Sequence, residues 1–315
     1  MTALFRPQPL PDEIALGYFG RVMRMNGFHH MKHFVDHATR MFNLEDEPPS
    51  NRTELLLLSR IAEKSLEDFE YEHTCKPFKD SVERWRGFSD SLLNIKYRRE
   101  LQLLRRGAYF CSACASADVQ FHGISYWRRE HQLPGHHWCQ KHDRPLDWVE
   151  TDLALQSPVT KYMNQRLSGQ SSRMPNPKVD EFVSRYMEIS SGILARRQQL
   201  DTAKLRVTFK KMAAKKGYSF GNETLGSLTA TAWIRKFVSD EWLSEALYDY
   251  QRAVQEQNHI LIDGVFADSG PVPSSVPYYI VAAALYDTAD QALNAMTRSL
   301  TGRKAALNSR EASLH

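Results

Sequence analysis

The chain has 315 residues, of which 42% are hydrophobic and 25% charged, with a formal net charge of +4. This length and apolar content indicate an ordinary folded protein of two or three domains, and the mild basic excess excludes a histone-like nucleic-acid binder. The sequence starts without a secretory signal and has no apolar run near the ~18 residues of a membrane span, so we expect a cytoplasmic protein with no membrane partner.

Residues 1–95 are predicted to be helical. After a Pro-rich lead, Asp12 is expected to cap a helix whose apolar residues lie on one face, and Asn26-Gly27 is expected to end it. A second helix with Phe34 and Ala38 on its buried side follows, which gives the order of a helix-turn-helix. An ordinary helical hairpin without DNA in its groove fits the same pattern. The run Leu55 to Leu58 predicts a further buried helix.

The segment 96–150 contains three of the four cysteines. Cys111-x2-Cys114 is followed by twenty-four residues and then by Cys139-x2-His142. Two such x2 pairs are typical of a tetrahedral Zn²⁺ site, and four protein donors leave no position for a water molecule. We therefore predict a structural zinc ion held by these four residues. Cys75 lies outside the pattern and is expected to be a plain thiol.

Basic and aromatic residues surround the same segment. This pattern indicates phosphate binding by the arginines. In the alternative interpretation, Tyr126 and Trp127 fill the small core of a zinc module, and the arginines solvate its face or pair with acidic residues of a partner protein. A second group of cations lies further along the chain. The candidate nucleic-acid or partner contacts are Arg98, Arg99, Arg105, Arg106, Arg128, Arg129, Lys210, Lys211, Lys215 and Lys216.

The remainder of the chain divides by composition. Residues 151–180 form a linker with a Ser/Pro-rich stretch, and residues 181–300 are predicted to form a helical C-terminal domain. Within it, a helix, the turn at Gly217 and a following helix make a second helix-turn-helix candidate, for which a solvated basic face is the alternative. Residues 301–315 are expected to be a flexible tail. The fold class is thus mainly α, with a zinc-knuckle segment between two helical regions.

Two stretches resemble the TniQ/TnsD family of transposition proteins. The first is C-x2-C, then "YWRREHQLPG", then C-x2-H followed by Pro-Leu, and the second is the N-terminal "RPQPLPDEIALGYFGRVMRMNGF". Looser likeness in "MAAKKGY" and "SVPYYIVAAALY" extends the resemblance over most of the chain. Many relatives carry a further C-x2-C after the Cys/His pair, whereas "DRPLDWVETDLALQ" has no cysteine, so this stretch leaves open whether a second zinc site exists.

The resemblance implies a bacterial, non-catalytic adaptor that links a chosen DNA site to an AAA+ ATPase and the transposase. Some members of the family recognise an attachment site directly, and others are carried to DNA by an RNA-guided CRISPR effector complex. The short chain with one zinc site favours the guided kind, which also implies a homodimer.

Two other classes of protein share parts of this sequence pattern. A stand-alone transcription factor that uses the helix-turn-helix candidates, with zinc as a staple, is the alternative from another class. A zinc deaminase requires an H-x-E motif with P-C-x-x-C and an open zinc position, and this glutamate motif is missing from the sequence. We therefore do not expect an enzyme.

Overall fold

The computed structural model describes residues 4–48, 53–82, 104–165, 173–197, 199–220, 228–247, 250, 254–255, 258–267 and 274–297. By internal contacts the chain divides into two compact units. Unit 1 comprises Met1–Lys76 and Lys96–Met174, and unit 2 comprises Pro77–Ile95 and Pro175–His315. The five segments expected from composition stay a prediction.

The described residues are mainly helical, as the sequence predicted. The helices are α1 Ala15–Met25, α2 Met31–Met41, α3 Glu54–Ile61, α4 Leu66–His73, α5 Lys76–Lys79, α6 Ser112–His122, α7 Glu181–Leu194, α8 Thr202–Lys215, α9 Ala230–Ile234, α10 Asp240–Ala246, α11 Ile260–Asp263, α12 Val276–Leu285 and α13 Ala289–Thr297. Within the described ranges, none of the helices has both the length and the apolar character needed to cross a bilayer.

The strands are short and form three antiparallel pairs. They are β1 Ala108–Phe110, β2 Trp138–Cys139, β3 Arg144–Pro145, β4 Asp147–Val149, β5 Val254–Gln255 and β6 Asn258–His259. β1 pairs with β4, so that Ala108 lies opposite Val149. β2 pairs with β3, and β5 pairs with β6.

The helical turn predicted near the N terminus is present in unit 1. α1 ends at the cap residue Asn26, and Gly27 has a φ of +74°, a conformation that glycine adopts without a Cβ penalty. The side-chain oxygen of Asn26 also accepts a hydrogen bond from the backbone N–H of Phe5 at 2.7 Å. α2 then begins at Met31 with Phe34 and Ala38 buried. Helix, Gly turn and helix therefore occur in the predicted order.

α1 lies unusually close to the backbone of the 3-10 helix Asp152–Gln156. A Cβ built on Gly20 would lie 2.6 Å from the carbonyl carbon of Gln156, whereas one on Gly17 would make ordinary contacts of 3.5 Å. Only a glycine at position 20 allows this approach without a shift of the backbone.

Unit 2 is built around α12. All ten of its residues are buried, and its two tyrosines are among the largest fully buried side chains. α7 and α8 contact α12 through apolar faces that include Tyr186 and Phe209. The chain segment that starts at Pro77 belongs to this unit, because the hydroxyls of Ser275 and Tyr279 donate to the carbonyl of Phe78.

The second predicted helix-turn-helix is described only in part. α8 ends as expected, with Lys216 as its cap and Gly217 at a φ of +83°. Residues 221–227, between this turn and α9, lie outside the described residues.

Candidate metal centre and the contacts that support it

Two local turns carry the four predicted metal ligands. β1 ends at Phe110, Cys111 is the N-cap residue of α6, and Cys114 lies in the first turn of that helix. Cys139 ends β2, and the turn from β2 to β3 contains His142. The carbonyl of Cys139 accepts the N–H of Asp143 at 2.8 Å, which closes this turn.

The four donor atoms lie together, within 4.8 Å of one another. The Nδ1 atom of His142 is 3.6 Å from Sγ of Cys111, 3.2 Å from Sγ of Cys114 and 3.6 Å from Sγ of Cys139. The Sγ atoms of Cys114 and Cys139 are 3.6 Å apart. A tetrahedral ion with bonds of about 2.0 Å to nitrogen and about 2.3 Å to sulfur separates its ligands by about 3.5–3.8 Å. The donor set therefore fits a tetrahedral metal ion.

The three thiols influence one another's protonation. Hydrogen bonds from Cys114 and Cys139 lower the pKa of Cys111, because they stabilise its thiolate. The pKa of Cys114 is raised by its hydrogen bonds with Cys111 and Cys139 and by burial. Without a cation the cluster therefore favours one thiolate over three, whereas a divalent ion stabilises all three.

The ligands belong to a small buried cluster. It consists of Tyr109, Cys111, Cys114, Cys139 and Leu146, with Ala113 and Trp148 packed against it. The fourth cysteine is different: Cys75 is fully buried, is not part of the metal group, and has a pKa raised by burial to about 12. It is a plain core thiol, as predicted.

Gln132 connects this cluster to the preceding motif. Its side-chain amide donates to the carbonyl of Tyr109 at 2.7 Å and accepts the N–H of the same residue at 3.0 Å. The amide thus pairs with the Tyr109 backbone as a neighbouring strand would. Sequence reasoning did not identify this role, although Gln132 lies inside the "YWRREHQLPG" stretch.

The two stretches that carried the family resemblance contact each other directly. The N–H of Ile14 donates to the carbonyl of Trp127, and the N–H of Arg129 donates to the carbonyl of Asp12 at 2.8 Å. The Asp12 carboxylate accepts Nε of Arg129 and the N–H of Glu130. The prediction that Asp12 caps α1 is therefore wrong. Ile14 is the N-cap residue, and the carboxylate binds a segment far along the chain instead.

A buried ion pair holds the Pro-rich lead in place. Arg21 of α1 binds both carboxylate oxygens of Glu13, at 2.8 and 2.6 Å, and also donates to the carbonyl of Gln8. The imidazole of His73 donates from Nδ1 to the Glu13 carbonyl at 2.9 Å, and burial lowers its pKa. Because every charged group here has a partner, the lead is ordered by polar contacts inside unit 1.

The predicted cationic contacts occupy different environments. Arg105 is buried, donates to the His131 carbonyl at 2.6 Å and lies over the Tyr109 ring. Arg129 is buried too, and it donates to the carbonyls of Tyr71 and Thr74 as well as to Asp12. These two guanidinium groups make internal contacts.

The remaining cations of the set are more accessible. Arg128 is half-buried, donates to Asp118 at 2.5 Å and lies over the Tyr126 ring, while Arg106 is exposed. Lys210 is half-buried, whereas Lys211, Lys215 and Lys216 are exposed. Arg98 and Arg99 lie outside the described residues.

Tyr126 and Trp127 belong to the interior of unit 1. Both are buried, and the indole N–H of Trp127 donates to the carbonyl of Ser157 at 2.7 Å. The Trp127 ring also packs edge-on against Phe110. The core-filling role, which the sequence offered as the alternative interpretation, is therefore the one observed for these two aromatic residues.

The fold and the site define a mainly helical protein whose first unit contains a Cys3His centre, with three buried cysteines and a half-buried histidine, that is able to hold a metal ion. Residues 4–146, a little under half of the chain, match the model of the TniQ family. The protein therefore carries a TniQ domain, and the resemblance is confirmed over this range, which contains all four metal donors and both motif stretches. No curated protein matches the chain. A TniQ domain implies a role in target selection for transposition.

Proposed function

We propose that this protein is a non-catalytic target-selection adaptor that links a target-DNA recognition complex to an AAA+ ATPase and a transposase. The observation that carries the proposal is the TniQ domain at residues 4–146, with its donor set intact. Three thiolates and one imidazole are preferred ligands of Zn²⁺, and a site with four protein ligands stabilises a fold without activating water. The proposed cofactor is therefore a structural zinc ion.

The proposal has three more specific parts, which are targeting by an RNA-guided complex, an AAA+ ATPase as partner and assembly as a homodimer. They rest on the family resemblance, together with the single Cys3His group found among the described residues. Direct recognition of an attachment site remains the alternative within the same family. A stand-alone transcription factor is the alternative outside it.

Burial reduces the number of predicted cations that can contact a nucleic acid. A guanidinium group that satisfies backbone carbonyls inside a unit cannot reach a phosphate without disrupting that unit. The best candidates for contact with DNA or a partner are therefore the accessible cations Arg106, Arg128, Lys211, Lys215 and Lys216. Arg105 and Arg129 are better explained as residues that position the segment containing the donors Cys111 to His142, which we call the metal segment.

The metal can be tested directly. We expect elemental analysis of the purified full chain to find one zinc ion per molecule, and Cys139→Ser to lose it. Cys75→Ser is the matched control, because it removes a buried thiol outside the donor group and should retain the zinc. Equal zinc content in both variants, or none in the unmodified protein, would contradict the proposed centre.

The adaptor role is tested by interaction and by transposition. The full chain should co-purify with the AAA+ ATPase and with a guide-RNA effector complex, and its removal should abolish insertion at the chosen target. Tight sequence-specific binding of a duplex by the isolated protein would instead favour direct attachment-site recognition. Regulation of a promoter without any effect on insertion would favour the transcription factor.

A further inference from the structure

The exposed side of α8 is the most basic continuous helical surface among the described residues of unit 2. The side that faces the core carries Leu205, Phe209 and Ala213. The opposite side is exposed, and we call it the α8 face. It consists of Lys204, Val207, Lys211, Ala214 and Lys215.

The α8 face has no negative charge along its length. The helix sequence TAKLRVTFKKMAAK contains five cations and no acidic residue. Asp201, the N-cap residue, lies 3.7 Å from Nζ of Lys204, and Lys216, just beyond the helix, binds Asp287 at 2.9 Å. Lys211 and Lys215, between these two pairs, form no ion pair with any described residue. The middle of the face therefore carries an unbalanced positive charge.

We propose that the α8 face binds the phosphate backbone of duplex DNA. The three lysines of the face span about 17 Å along the helix axis, since each residue rises by about 1.5 Å. Duplex DNA offers one negative charge per about 1.7 Å, so several phosphates fall within reach of this length. Val207 and Ala214 are small and lie between the lysines, which allows the helix to approach the backbone closely.

The composition of the face favours DNA over an acidic protein. Protein interfaces rely on large aromatic or aliphatic anchors in their centre, and lysine is depleted there. The α8 face offers only Val207 as a large exposed apolar side chain, at 52% exposure, and no aromatic group. Lysine acts on phosphates as a flexible point charge without reading bases. The contact is therefore independent of DNA sequence, and it deepens the proposed function because it places target DNA on unit 2.

The test is the salt dependence of binding to a random-sequence duplex. The full chain and the variant Lys211→Ala/Lys215→Ala are titrated by fluorescence anisotropy between about 50 and 200 mM salt. The logarithm of the association constant falls linearly with the logarithm of the salt concentration. In the variant this slope should be less negative by about 1.8, because each phosphate contact removed accounts for about 0.9. Lys211→Arg/Lys215→Arg should keep the slope of the unmodified chain.

The control is Lys161→Ala/Lys178→Ala, which removes the same charge from two exposed positions outside α8. Its slope should stay close to that of the unmodified chain, and circular dichroism should find the same helix content in all variants. Equal slopes for the α8 variant and the control would overturn the proposal, as would a full chain that binds no duplex. Loss of ATPase co-purification with an unchanged slope would also overturn it, because the face would then bind protein. None of these results removes target selection through a guide complex, so the two proposals fail separately.

Discussion

In unit 2 the core surrounds a helix, α12, whose ten residues are all buried, whereas the cluster around the metal donors of unit 1 contains only five buried residues, three of them cysteines. The helix is stabilised by apolar burial, at about 25 cal/mol per Å². The metal segment has little such area, and it depends on particular donor atoms and on hydrogen bonds from the Gln132 amide and the Arg105 guanidinium. We therefore expect α12 to tolerate the exchange of similar apolar residues, and we expect the cluster around the metal donors not to tolerate the loss of a donor.

The largest effect expected from this difference is that of removing a metal donor. Cys114→Ser should unfold the metal segment, because a structural zinc site contributes about 10 kcal/mol or more to the folding of small zinc modules. Hydrogen exchange with mass spectrometry should find loss of protection in peptides from 104–165. Peptides of α7 and α12 should keep their protection, and equal loss in both units would contradict the comparison.

The second prediction concerns the contact between the two family stretches. Arg129→Met should lower the free energy of unfolding of unit 1 by about 3 kcal/mol, because two backbone carbonyls lose their guanidinium donor and the Asp12 carboxylate keeps only the N–H of Glu130. Arg106→Met is the matched control. Arg106 is exposed, so its loss should cost at most about 0.5 kcal/mol. Chemical denaturation measures both, and equal costs would argue against a special role for Arg129.

The third prediction tests the close approach of α1 to the 3-10 helix Asp152–Gln156. Gly20→Ala should destabilise unit 1 by about 2 kcal/mol, since the new methyl group would overlap the Gln156 backbone. Gly17→Ala, one turn earlier in α1, meets only ordinary contacts and should be neutral or slightly stabilising. Thermal unfolding of the two variants provides the comparison. A harmless substitution at Gly20 would mean that the two backbones are further apart.

The smallest expected effect is a pH dependence in unit 2. His259 is fully buried and stacks on Tyr250, and burial lowers its pKa from the ordinary value of 6.5. The neutral imidazole is therefore favoured in the folded state. The neutral His259 imidazole costs no stability above pH 6.5. As the pH falls below this value, the free energy of unfolding declines by at most about 1.4 kcal/mol per pH unit, because the unfolded imidazole takes up a proton.

The measurement is urea unfolding of unit 2 between pH 7.5 and a lower pH of about 5, where the unfolded imidazole is protonated. His259→Gln should remove the part of the pH dependence that belongs to this residue. An identical pH profile in the variant would assign the dependence to other groups.

Much of the fold was predictable, because it depends on local patterns. Apolar periodicity predicted α1, α2 and α8, and the glycine after each of the helices α1 and α8 marked its end. The role of Asp12 as the cap of α1 was predicted wrongly by the same local reasoning. An acidic residue shortly before a helix is a frequent cap, but here a guanidinium group 117 residues away binds the carboxylate.

The sequence by itself determined the candidate metal donors of this protein, because the identity of these four residues and their x2 spacing are properties of two short turns. Only the tertiary structure decided which cations are accessible. Arg128 and Arg129 are neighbours in the chain, yet one remains partly exposed beside Asp118 and the other is buried against Asp12. Burial depends on contacts between residues distant in the chain, and a local pattern contains no information about those contacts.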